Sequence, residues 1–90
     1  MLKIVSTSKF KRDIKVAKRR GFDIGLLKDV VTKLANREIL DQKHKDHPLI
    51  GNYAGFRECH IKPDWLLIYL VDEEELELLL FRNGTHSDLF

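Results

Sequence analysis

The spacing of apolar residues changes character midway along the chain. Residues 2–5 make a short apolar run of strand length. Phe10, Ile14 and Ala17 then follow at i, i+4 and i+7, the stripe of an amphipathic helix. Lys11, Arg12, Lys15, Lys18 and Arg19 fall on the rest of that helix's surface. Ser6, Thr7 or Ser8 can cap its start, because a side-chain oxygen there accepts a bond from an orphan N–H. Gly21 ends it as a left-handed residue. Asp23 caps a second helix, in which Leu27, Val30, Val31 and Leu34 recur at helical spacing. The short link predicts an antiparallel helical hairpin.

After Arg37 the helical period disappears. Residues 38–55 are polar and punctuated by Pro48, Gly51 and Gly55, which reads as loop with a short extended piece near 48–50. Residues 56–61 alternate as a strand, and Lys62-Pro63-Asp64 interrupts it as a turn, since proline lacks the ladder N–H. Residues 65–71 are a continuous apolar run, as expected of a central strand covered on both faces. Asp72-Glu73-Glu74 is a polar hairpin turn. The last long strand spans 75–82, with Leu76, Leu78, Leu80 and Arg82 in phase on one face. The expected fold is α+β, with two N-terminal helices packed on a mainly antiparallel four-stranded sheet in a single domain over 1–90. The sheet's other face is partly open and is the natural place for a site.

Charge sharpens this picture. Residues 1–37 hold eleven Lys/Arg against three Asp, a net +8, while 38–90 hold five against eleven Asp/Glu, a net −6. The basic half suits a phosphate backbone, because cations that displace counterions supply most non-specific nucleic-acid affinity. With 43% hydrophobic and 33% charged residues, the composition fits a globular protein rather than a disordered one. No apolar stretch approaches the ~20 residues that span a bilayer, and the charged start does not read as a secretory signal. The lone Cys59 forms no internal disulfide and no thiolate zinc site, which favours a cytoplasmic location.

The chemistry-bearing residues gather in the acidic half. His44, His47, His60 and His86 lie there with Glu58, Asp64, Arg57 and Arg82. His60 ends one strand, Asp64 sits just past the turn, and His86 follows Arg82 by four residues beyond Gly84. Cleavage of RNA through its own 2′-OH needs a base, an acid and a cation. Histidine suits the first two, since its ordinary pKa of about 6.5 lies near working pH. Arginine suits the third, as a planar guanidinium that holds two phosphate oxygens. No metal and no cofactor is required. A lone histidine near a strand end is more often a surface residue, and Arg82 pairs equally well with Glu58 or Asp64 in a surface bridge. Trp65 and Phe90 are candidates for stacking on a base, although a tryptophan is more often core.

The blocks Lys45-Asp46-His47-Pro48-Leu49-Ile50-Gly51, Phe56-Arg57-Glu58-Cys59-His60-Ile61-Lys62-Pro63-Asp64-Trp65-Leu66-Leu67-Ile68-Tyr69 and Arg82-Asn83-Gly84-Thr85-His86-Ser87-Asp88-Leu89-Phe90 closely resemble the YafQ branch of the RelE/ParE toxin superfamily. The resemblance implies a microbial-RNase-like fold and a metal-independent endoribonuclease. It implies cleavage of mRNA at the A site of the 70S ribosome. Its working residues fall on His47, His60, Asp64, Arg82 and His86, with Trp65 and Phe90 around the substrate. It also implies a DinJ-like ribbon-helix-helix antitoxin, through which the pair binds operator DNA. The basic face built by Lys11, Arg12, Lys15, Lys18 and Arg19 then has two uses, ribosomal RNA and an acidic antitoxin. Two other activities share the fold, a ribosome-independent ribonuclease and a non-catalytic ParE-like gyrase inhibitor. Fold alone does not separate them.

Overall fold

The computed structural model describes all ninety residues. Strand β1 (Lys3–Ser6) leads into helices α1 (Ser8–Arg19) and α2 (Ile24–Ala35). A long irregular stretch follows, with two single-turn 3₁₀ segments around the two-residue strand β2 (His47–Pro48). Strands β3 (Arg57–Lys62), β4 (Trp65–Asp72) and β5 (Glu77–Gly84) come next, and a one-turn helix α3 (His86–Leu89) closes the chain. The helix signals operate as expected. Thr7 Oγ1 accepts the Phe10 N–H and Asp23 Oδ1 accepts the Gly25 N–H. Gly21 sits at φ +80°, a conformation that glycine adopts without steric penalty.

The sheet has five strands, not four, in the order β1-β5-β4-β3-β2. The extra strand is β2, whose two residues pair with β3 across His47–Glu58 and Pro48–Arg57. Two residues carry no period for a sequence pattern to detect. β1 joins β5 in parallel, and the other pairings are antiparallel. β4 lies at the centre, buried from Trp65 to Tyr69. Its side chains alternate between two apolar clusters. Trp65, Leu67 and Tyr69 meet Phe10, Ala17, Leu27, Val31 and other residues of the helices. Leu66 and Ile68 pack with Leu89, against Leu49, Tyr53, Phe56 and Phe81 on the opposite face. That face is therefore partly roofed by the 49–56 segment and α3.

The expected phase of β5 is broken. Ile68 pairs with Arg82 but Tyr69 pairs with Leu80, so Phe81 is an inserted residue. A bulge of this kind kinks the strand and re-aims the residues beyond it. Leu78 and Leu80 join the helix-side core, while Phe81 and Arg82 do not. Leu76 is not on the strand at all; it is exposed in the turn at φ +54°.

Cys59 is fully buried on β3, and burial pushes its thiol up to about 12. A thiol so protonated is a poor nucleophile. An aromatic disulfide reagent is expected to leave the native protein unlabelled at neutral pH and to titrate one thiol per chain in denaturant. Rapid labelling of the native protein contradicts this packing.

Candidate active site

In-register neighbours of a sheet share a face, and the pairing starts four polar side chains from one face. His47, Glu58, Ile68 and Arg82 form one row across β2, β3, β4 and β5. His60, Leu66 and Gly84 form the next row. Ile68 and Leu66 face away from α1 and α2, so His47, Glu58, His60 and Arg82 start from that same face. His86 joins them from α3. Its ring centroid is 5.8 Å from that of His60, and His60 is 6.5 Å from His47.

Each of the three rings is held through Nδ1. His86 Nδ1–H donates to Asp64 Oδ1 at 2.6 Å, and the same oxygen accepts the His86 backbone N–H at 3.0 Å. His47 Nδ1–H donates to the Lys45 carbonyl at 2.6 Å, and His60 Nδ1–H to the Pro63 carbonyl at 3.2 Å. Carboxylate and carbonyl oxygens only accept, so these bonds assign the proton to Nδ1 and leave every Nε2 available. Two of these Nε2 atoms flank one carboxylate. Glu58 Oε1 lies 3.5 Å from His47 Nε2 and 3.6 Å from His60 Nε2, and Glu58 is buried. Those are ion-pair distances, longer than hydrogen bonds.

The scaffold under each ring is local. The αL conformation of Lys45 aims its carbonyl at His47. Asp46 anchors the same segment, accepting the Tyr69 hydroxyl at 2.6 Å and Arg57 Nε at 3.3 Å. His44 is buried, and its Nδ1–H donates to the His60 carbonyl at 2.7 Å, so it supports β3 and is not exposed for chemistry. α3 depends on Gly84, because a Cβ there would lie 2.9 Å from Asp88. Thr85 and Asp88 form a reciprocal capping box, and Arg20 grips Asp88 at 2.6 and 3.0 Å. The bond to Asp64 and this clamp fix the helix turn that carries His86. The bonds to His86 hold the Asp64 carboxyl below its usual range.

Arg82 stands apart from the imidazoles. Its row places it two strands from Glu58, about 10 Å at strand spacing. Its partner is neither Glu58 nor Asp64 but Asp13 of α1, at 2.7 Å from Nε and 3.1 Å from Nη2. Trp65 also departs from expectation. It is 2% exposed, meets Phe22 in a tilted contact with ring centroids 5.0 Å apart, and donates Nε1–H to Asn83 Oδ1 at 3.2 Å. It is a core residue with no open ring face for a base. Phe90 is 59% exposed and meets Tyr53 edge-on at 5.6 Å, so one face stays open. Lys11, Arg12, Lys15, Lys18 and Arg19 are all exposed on α1, with no ion-pair partner.

Glu58 is the site residue that sequence reasoning did not single out. Its signal was available, since Glu58 and His60 are two apart on one strand and must share a face. No group of three or more His, Cys, Asp or Glu side chains converges closely enough to hold a metal ion.

Comparison with known proteins gives a consistent family. A family model described as a bacterial toxin of type II toxin-antitoxin system, YafQ, matches residues 2–90. The mRNA interferase toxin YafQ of Escherichia coli strain K12 is 41% identical over 86 residues, spanning 93% of this chain and 90% of that one. A crystal structure of a metal-bound toxin from Helicobacter pylori is 49% identical with a TM-score of 0.95, both chains being covered in full. A chain in the crystal structure of the E. coli DinJ-YafQ complex is 37% identical with a TM-score of 0.90, covering 100% of this chain and 99% of that one.

The Arg20 and Thr85 bonds hold the Asp88 carboxyl well below the usual range. A lowered folded-state pKa stabilises fully above the ordinary carboxylate value and is lost as pH falls toward the lowered one. Asp88→Asn should therefore melt below the wild type at pH 7. The gap should narrow as pH drops below about 4. A gap that stays constant down to pH 2 contradicts the clamp.

Proposed function

Since this chain belongs to the YafQ family of type II toxin–antitoxin toxins, we propose that it is an mRNA interferase, an endoribonuclease that cuts mRNA at the ribosomal A site by acid–base chemistry. The observation that carries this reading is the convergence of His47, His60 and His86, each tied through Nδ1 and each presenting Nε2. One neutral Nε2 takes the proton of the ribose 2′-OH. The freed oxygen attacks the adjacent phosphorus, forming the 2′-O–P bond. The P–O5′ bond breaks, and a protonated imidazole gives its proton to the leaving 5′-oxygen. His60 and His86 are the acid–base pair in this reading, since their rings are close enough for one phosphodiester to reach both. Asp64 orients His86 through Nδ1. Glu58 lies between His47 and His60 and faces both Nε2 atoms. Arg82 stabilises the extra negative charge on the phosphoryl oxygens, and the open face of Phe90 takes a neighbouring base.

Position comes from elsewhere. His47 and His86 are exposed while His60, Glu58 and Arg82 are largely covered, and in this reading the ribosome supplies the remaining positioning. Correct placement is worth roughly 7–11 kcal/mol of barrier in favourable cases. The exposed cations of α1 dock on ribosomal RNA or on an acidic antitoxin tail. A DinJ-like antitoxin is the partner by analogy with the E. coli complex, and operator DNA is reached through that pair. The setting is the cytoplasm.

Primer extension on a defined mRNA, with and without 70S ribosomes, tests this reading. Discrete in-frame cuts are expected only with ribosomes. His86→Ala should lower cleavage at least ~10²-fold without unfolding the domain. Arg82→Ala should act on a similar scale. Cuts without ribosomes would favour a free-standing ribonuclease. No cuts under either condition would favour a gyrase-binding toxin.

A further inference from the structure

The proposed phosphate-binding residue is already engaged. Arg82 gives two of its five donors, Nε–H and one Nη2–H, to the carboxylate of Asp13. The same carboxylate accepts the backbone N–H of Asn83 at 3.2 Å. Both partners of the pair are largely buried, with side chains 24% and 15% exposed. The sheet explains why a helix residue stands here. β1 pairs with β5 only as far as Leu80, and Thr7 then takes the Leu80 carbonyl through its N–H and the Phe81 carbonyl through its hydroxyl. Beyond that point β5 keeps β4 on one side but has no strand on the other, and the Asn83 N–H faces that open side. α1 runs along this bare edge, and Asp13 serves as the missing acceptor.

We infer that Asp13 is a positioning residue for the phosphate-binding Arg82, holding one edge of the guanidinium so that the other edge meets the substrate. This rests on the reading of the chain as a ribonuclease. Arg82 Nη1 has no partner within the protein, and it is the edge opposite the Nε that Asp13 holds. An arginine pinned along Nε and Nη2 keeps one plane and one direction, whereas a free one samples many rotamers. The cost is that Asp13 balances the charge of Arg82. Long-range attraction for RNA then falls to the unpaired cations of α1, and Arg82 is left to act at short range. Asp13 also pins the bulge that re-aims Arg82. Arg20, the residue that ends α1 seven positions after Asp13, holds Asp88 and with it the turn bearing His86. α1 with its end residue thus steadies both Arg82 and His86 from behind.

A double-mutant cycle separates positioning from plain support of the fold. Asp13→Asn should lower single-turnover cleavage on ribosomes about 10- to 100-fold, the scale of misplaced groups, with KM nearly unchanged. In the Arg82→Ala background the same substitution should have almost no further effect. The Arg82 Nε–H resonance should be shifted and exchange-protected in the wild type, and ordinary in Asp13→Asn. Equal losses in both backgrounds would overturn the inference, because Asp13 would then act on the fold. Faster cleavage by Asp13→Asn would also overturn it, since Asp13 would then be a competitor of the substrate phosphate. If the wild type cuts nothing, the ribonuclease reading fails instead, and the resonance alone still decides whether Asp13 holds Arg82.

Discussion

A strand buried on both faces leaves its neighbours no freedom of register. β4 buries Trp65, Leu67 and Tyr69 against the helices and Leu66 and Ile68 against the opposite cluster. A slip of one residue in its pairing would carry whole sets of side chains to the wrong face. Register therefore propagates outward from β4, and it starts Glu58, His60, His47 and Arg82 from the face away from the helices, from which the Arg82 side chain reaches Asp13 of α1. The polar site is a by-product of apolar packing in the strand beneath it. Tyr69 couples the two directly, since its ring lies in the core and its hydroxyl holds the Asp46 segment that carries His47.

The basic first half divides into cations that hold the structure and cations that remain free. Arg20 and Arg37 are spent on Asp88 and Glu73. Lys11, Arg12, Lys15, Lys18 and Arg19 have no such partners and project from α1 to solvent. Charged groups of that kind contribute little to folding and much to association with a polyanion. α1 thus has two unlike faces. Asp13 holds Arg82, and Arg20 just past the helix end holds Asp88; the outer cations are the ones the proposed function assigns to a partner.

Much of this was legible in the sequence because the signals are local. Thr7, Gly21 and Asp23 act through neighbours within three residues. The continuous apolar run of β4 and the turn at Pro63 declare themselves. His60, Asp64 and His86 could be expected to meet, since a hairpin brings strand ends together. What escaped is either short or remote. β2 is two residues long, and the Phe81 bulge depends on how β5 sits against β4. Asp13 and Arg82 are 69 residues apart, and no local pattern announces that a helix carboxylate will stand in for a strand. Trp65 read two ways because its indole N–H needs a partner when buried, and Asn83 supplies one.

The central claim is chemical: cleavage uses the RNA's own 2′-OH, with protein imidazoles moving the protons. The most direct test is mass spectrometry of the new ends made on ribosome-bound mRNA, repeated with 2′-deoxy ribose at the cleaved nucleotide. A 2′,3′-cyclic or 3′-phosphate opposite a 5′-hydroxyl, and no cut at the deoxy position, is the expected result. A 5′-phosphate opposite a 3′-hydroxyl, or unchanged cutting of the deoxy substrate, would contradict the account.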